Sequence, residues 1–167
     1  MRRFAPTFVL IIFLVLQAFF VRKMAIGRIA PDVPLLIVVY FAMFRGAFHG
    51  SLLGFLVGLL QDLFNATHLG LNAFTKTLTG YFIGLAGSKA EPDSSLFFFA
   101  LVGIAGLAHD FVYLLIFTGM HLGKFFVMWV TVSIPSAIYT AVVGLVVHLL
   151  VSYAATEVVR SIGKTRS

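Results

Sequence analysis

Gly46-Ala47-Phe48-His49-Gly50-Ser51-Leu52-Leu53-Gly54-Phe55-Leu56-Val57-Gly58-Leu59-Leu60-Gln61-Asp62 is the stretch that decides the fold. Gly46, Gly50, Gly54, Gly58 and Asp62 recur every fourth residue, which places them in one stripe along a helix. Small residues at that spacing let a second helix backbone approach closely. Two readings of the stripe are open: packing inside one bundle, and a face for another subunit.

The next apolar segment carries a matching stripe, Asn72, Lys76, Gly80 and Gly84, again four apart. Only a tight turn near residues 65–68 separates the two segments, so they are expected to form an antiparallel hairpin. Asp62 then falls roughly opposite Asn72, with Lys76 about one turn deeper and within reach of Asp62 by snorkelling. An Asp62–Lys76 pair is expected, because an unpaired charge is costly in hydrocarbon. A later segment adds Gly103, Gly106, His109, Asp110 and Tyr113, with Asp110 on the face of the two glycines. Asp62, Asn72, Lys76 and Asp110 are therefore expected to form one polar layer near the outer side of a membrane. Such a layer could fix helix register, line a pocket or partner contact, or relay a proton. A pump usually needs carboxylates through the full depth, and the inner half has none.

Composition supports the membrane setting. Of 167 residues 60% are hydrophobic and 11% charged, with a mean hydropathy of +1.06, whereas soluble domains carry about 25% charged residues. This excludes a soluble enzyme, a disordered chain and an ordinary nucleic-acid-binding domain. The net charge of +6 is then an orientation and headgroup signal, with basic residues at helix ends meeting anionic lipids. No cysteine is present, so disulfides and thiolate metal sites are out.

Six apolar segments are read, at about residues 4–21, 29–44, 47–64, 69–87, 96–118 and 125–151. The fold class is all-α: a polytopic six-helix membrane bundle in one integral domain. The apolar part of the second segment, about 33–44, is short for a span. It is expected to take in residues 29–32 or to sit tilted or partly buried. The last segment is long, roughly 40 Å at helical rise, and contains Pro135, so a kink is expected there. The first segment has a basic start, but its apolar run is long, Arg22-Lys23 follows, and no small-residue cleavage site is seen. It is read as a retained helix. With the N-terminus inside, Arg2, Arg3, Arg45, Lys89, Arg160, Lys164 and Arg166 lie inside, against Arg22, Lys23, Arg28 and Lys124 outside. This excess favours both termini in the cytoplasm.

Other signals are weak. The five histidines are scattered without metal-ligand spacing. His109 and Asp110 are adjacent on a helix and are expected to point to different faces. No nucleophile sits in a recognisable catalytic motif, so neither an enzyme activity nor a cofactor is expected.

The ordered set of motifs resembles the rod shape-determining protein MreD family. It runs through Pro31-Asp32-Val33-Pro34-Leu35-Leu36, Phe44-Arg45-Gly46, the glycine stretch ending in Gln61-Asp62, Leu69-Gly70-Leu71-Asn72-Ala73, and Thr79-Gly80-Tyr81-Phe82-Ile83-Gly84. The family-motif residues are thus Pro31, Asp32, Arg45, Gln61, Asp62 and Asn72. The resemblance implies a non-enzymatic scaffold in the bacterial inner membrane that binds MreC and helps control cell shape and peptidoglycan synthesis. The wider complex would include MreB, RodA and a class B penicillin-binding transpeptidase. A homodimer is left open by the glycine stripes. The family is also similar in helical arrangement to the S-components of energy-coupling-factor transporters, which makes a small-molecule-binding S-component the alternative. S-components dock on small-residue stripes in the first helix, and residues 4–21 offer only Ala5 and Ala18. That weighs against transport.

Overall fold

The computed structural model describes residues 25, 29–64, 68–87 and 94–164, with side chains described through residue 150 and at Tyr153. The segment expected at 4–21, Arg22, Lys23, Arg28, Lys89, turn residues 65–67 and the last three residues lie outside the described residues.

The first described helix, α1 (Val33–Arg45), starts where the sequence supplies a cap. The Asp32 carboxylate accepts from Leu35 N at 2.9 Å, and Pro34 sits in the first turn, where its missing N–H is harmless. The helix therefore does not reach back over residues 29–32 as one expectation had it. It ends at Gly46, whose φ of +82° is a conformation glycine adopts without strain. Thirteen residues make about 20 Å of helix, short of a bilayer core. Burial answers the shortness: Val38, Val39 and Ala42 are fully enclosed and Leu35 nearly so.

The glycine stretch forms α2 (Ala47–Phe64), and after a second positive-φ glycine, Gly70, the chain returns as α3 (Leu71–Gly87). The two pack together along their length as the expected hairpin. Next comes α4 (Ser95–Phe117), capped by Ser94. Then α5 (Leu122–Met128) leads through a π-helical turn, Trp129–Ser133, into α6 (Ile134–Lys164). The irregularity expected from Pro135 is thus a widened turn just before the proline. The Ile134 amide reaches back five residues to the Trp129 carbonyl.

Two helix pairs clasp α1. On one side stand α2 and α3; on the other α4 and α6 pack antiparallel, with Gly103 facing Ala141 and Gly106 facing Ala137. The core joins Leu35, Leu36, Val39, Ala42 and Met43 of α1 to Ile83 of α3, Phe98, Leu101, Val102 and Ala105 of α4, and Ala141 of α6. Large apolar side chains also cover the outside, among them Phe48, Leu63, Phe82, Ile104 and Leu150. Among the described residues, three helical stretches are long and apolar enough to cross a membrane: Ala47–Phe64, Ser95–Phe117 and Leu122–Leu150. Val33–Arg45 is a shorter apolar helix. The outward apolar belt and these lengths describe a multi-pass membrane protein.

Candidate functional site

The glycine stripes meet each other inside the hairpin. A methyl group on Gly54 would strike the Lys76 carbonyl, and one on Gly58 would lie 2.5 Å from Ala73 Cα. Gly80 faces the Gly50 backbone, and Gly84 faces Ala47. No side chain fits in this seam, so the spacing in sequence is spent on backbone-to-backbone approach between α2 and α3. Gly46 is different: it has open space around it and serves the turn after α1.

Asp62 lies at the end of this seam and is fully buried. Its Oδ1 accepts from Asn72 N at 3.1 Å and Asn72 Nδ2 at 2.9 Å, and its Oδ2 from Ala73 N at 3.0 Å. These amides belong to the first turn of α3, which has no intrahelical acceptors for them. A carboxylate from α2 thus closes the N-terminus of α3, where the helix dipole also favours negative charge. The opposition of Asp62 and Asn72 has become a helix cap.

The expected Asp62–Lys76 pair does not form. Lys76 is fully buried and its Nζ lies 2.7 Å from Asp32 Oδ2, at the N-terminus of α1. With both Asp62 oxygens occupied by α3 amides, the ammonium finds its counterion on the neighbouring helix. Asp32 therefore caps α1 with one oxygen and holds Lys76 with the other. Its own amide donates to Thr140 Oγ1 at 2.9 Å, which ties in α6.

Lys76 also reaches α4. Its Nζ is 3.2 Å from His109 Nε2, and His109 Nδ1 is 2.9 Å from Asp110 Oδ1. The adjacent pair was expected to diverge; here the side chains turn along the helix surface and meet. An ammonium can donate to Nε2 only if that nitrogen keeps its lone pair. With the ring proton on Nδ1, His109 donates to Asp110 and accepts from Lys76; with a proton on Nε2, it donates to Thr75 Oγ1 instead. Thr75 Oγ1, which bonds the Leu71 carbonyl at 2.8 Å, lies 3.0 Å from the same Nε2. The single expected layer thus resolves into two bonded groups. Asp62 and Asn72 close α3, while Asp32, Lys76, His109 and Asp110 link α1, α3 and α4.

Sequence reasoning placed Asp32 among the motif residues but missed it as the partner of Lys76, and it missed His109, Thr75 and Thr140. The available signal was Asp32 itself, a carboxylate at a helix start with one oxygen to spare. Of the other motif residues, Pro31 is fully buried. Arg45 lies with its guanidinium 5.7 Å from the centre of the Phe41 ring. The buried Gln61 Oε1 has no hydrogen bond among the described residues. No group of three or more potential ligands for a metal ion occurs among the described residues.

The family model for rod shape-determining protein MreD matches residues 1–154. The chain belongs to the MreD family. That match covers the Asp32–Lys76 link, both glycine stripes and the Asp62 cap, and membership implies a role in rod shape determination. No curated protein and no solved structure matches the chain.

Proposed function

We propose that this MreD-family chain is a non-enzymatic scaffold of the cell-wall elongation complex in the bacterial inner membrane. In this reading it binds MreC, acts alongside MreB, RodA and a class B penicillin-binding transpeptidase, and helps control peptidoglycan synthesis. It crosses the membrane six times as one domain, with both termini in the cytoplasm.

Family membership over residues 1–154 carries the proposal. The geometry agrees with it. The polar groups that would line a vitamin pocket in an S-component are spent on helix ends and on one another: Asp62 and Asn72 in the α3 cap, Lys76 on Asp32. A bundle locked in this way suits a rigid platform. Because the glycine seam is filled by its own hairpin, the scaffold presents its outward helix faces to partners, not the stripe.

The test is co-expression with MreC, extraction in mild detergent, purification through a tag on this chain, and weighing of the complex. A stable complex of defined ratio supports the scaffold. A chain that emerges alone with a retained small molecule sinks it in favour of an S-component.

A further inference from the structure

The ring of His109 is buried, and its surroundings bond it in two protonation states. Nδ1 lies 2.9 Å from Asp110 Oδ1. Nε2 faces two groups of α3, Lys76 Nζ at 3.2 Å and Thr75 Oγ1 at 3.0 Å. These neighbours ask opposite things of it. An ammonium only donates, so it needs a lone pair on Nε2. The Thr75 hydroxyl directs its proton at the Leu71 carbonyl, 2.8 Å away, so its oxygen is left to accept. A neutral ring with its proton on Nδ1 therefore bonds Asp110 and Lys76. A charged ring bonds Asp110 and Thr75. Neither state strands a buried ring nitrogen.

The two states fasten the helices differently. With the ring neutral, Lys76 Nζ bridges Asp32 at the start of α1 and His109 on α4. One ammonium then gathers α1, α3 and α4. With the ring charged, two cations face each other at this contact, and the repulsion is large away from water. The ring is held by Asp110 and by its stack on Tyr113, with centroids 6.0 Å apart and planes at 18°. The flexible end of Lys76 gives way and keeps Asp32 alone. Among the described residues, the charged side chains acting on the ring are Lys76 from α3, Asp110 from α4 and Asp32 from the start of α1. Asp62 of α2 is engaged by the α3 amides, and Thr140 of α6 by the Asp32 amide.

We propose that His109 is a proton-operated switch in which Nε2 exchanges Lys76 for Thr75, releasing the polar tie between the start of α1 and α4. The inference is independent of the scaffold reading, because it concerns how the bundle is fastened and not what it binds.

The test uses the full chain in one detergent. NMR of isotope-labelled histidine reads the charge of each ring, and His109→Phe assigns the signals. The His109 ring is expected to hold one proton, on Nδ1, at about pH 8 and two at about pH 5. Thermal melts of wild type, Thr75→Val, His109→Phe and the double variant give the coupling between the two side chains at each pH. A bond to the charged ring should make that coupling roughly tenfold larger, as an unfolding equilibrium ratio, in acid than at the higher pH. Thr75→Ser retains the hydroxyl and should retain the response. A ring with the same charge at both pH values overturns the proposal. So does a ring that changes charge while its coupling to Thr75 stays constant, since no partner has then been exchanged. Loss of the response in Thr75→Ser overturns it as well.

Discussion

Lys76 Nζ sits 2.7 Å from Asp32 Oδ2 although 44 positions separate the residues, and the two partners are unequally enclosed. The lysine side chain is fully buried, whereas that of Asp32 keeps 27% of its surface open. The link fastens the start of α1 to the middle of α3. Its loss should therefore be felt unevenly.

Asp32→Asn leaves a buried ammonium without a counterion and should cost about 3 kcal/mol of stability. Lys76→Met leaves a partly open carboxylate that still caps α1 through Leu35 N and should cost about 1–2 kcal/mol. The double variant should unfold close to Lys76→Met, because it carries no stranded cation. Thermal melts of the three proteins in one detergent check the order. Equal losses from the two single variants would show that the pair is not desolvated as the packing indicates.

The parts of this fold that were legible in the sequence are those set by a single helix or a single turn. Four-residue spacing gave the glycine seam, and hairpin arithmetic put Asp62 opposite Asn72. The Lys76 partner was not legible, because the arithmetic ranks only residues on the same hairpin. Asp32 arrives through the packing of α1 against α3, which no local period encodes. His109 and Asp110 were misjudged because helical spacing fixes Cβ directions, not where two side chains end. The short α1 was readable as a defect in length, but its cause, enclosure by two helix pairs, is a tertiary fact.

The seam makes a second prediction, with a built-in control. A Cβ on Gly54 meets the Lys76 backbone, which cannot move without parting α2 from α3. Gly54→Ala should destabilise by about 1–3 kcal/mol, as overpacking does. Gly103→Ala lies in α4, where the nearest atom to a new methyl is Ala141 Cβ at 3.8 Å, an ordinary contact. It should be neutral or slightly stabilising. Melting temperatures of the pair decide; a Gly54→Ala protein as stable as Gly103→Ala would refute the close approach.

Asp62 should act locally. Asp62→Asn keeps a carbonyl oxygen but loses the charge facing the α3 N-terminus and one of the two oxygens that hold its amides. A cost of about 1–2 kcal/mol follows from the lost cap and charge–dipole contact. Amide hydrogen exchange should quicken first at Asn72 and Ala73, while amides in the middle of α4 stay protected. Uniform loss of protection would mean that Asp62 supports the whole bundle instead of one helix end.

Pro135 and Trp129 make the last prediction. Proline at 135 has no N–H to give to the Thr131 carbonyl, and its ring crowds that carbonyl. The chain widens to a π-turn over Trp129–Ser133 just ahead of it. With Pro135→Ala the α-helical bond becomes available and the extra residue in the turn is no longer favoured. Closing the turn would rotate α5 by about 100° relative to α6, one residue's worth of helix. Trp129 now stacks on Phe125 at 6.3 Å and meets Phe111 edge-on at 6.1 Å, and rotation would break at least the contact with α4. The chain has one tryptophan, so its fluorescence reports this site without interference. Pro135→Ala should shift the emission and raise quenching by brominated lipid tails as the ring turns outward. An unchanged spectrum would show that packing of Trp129 against Phe111 and Phe125, and not the proline, holds the π-turn.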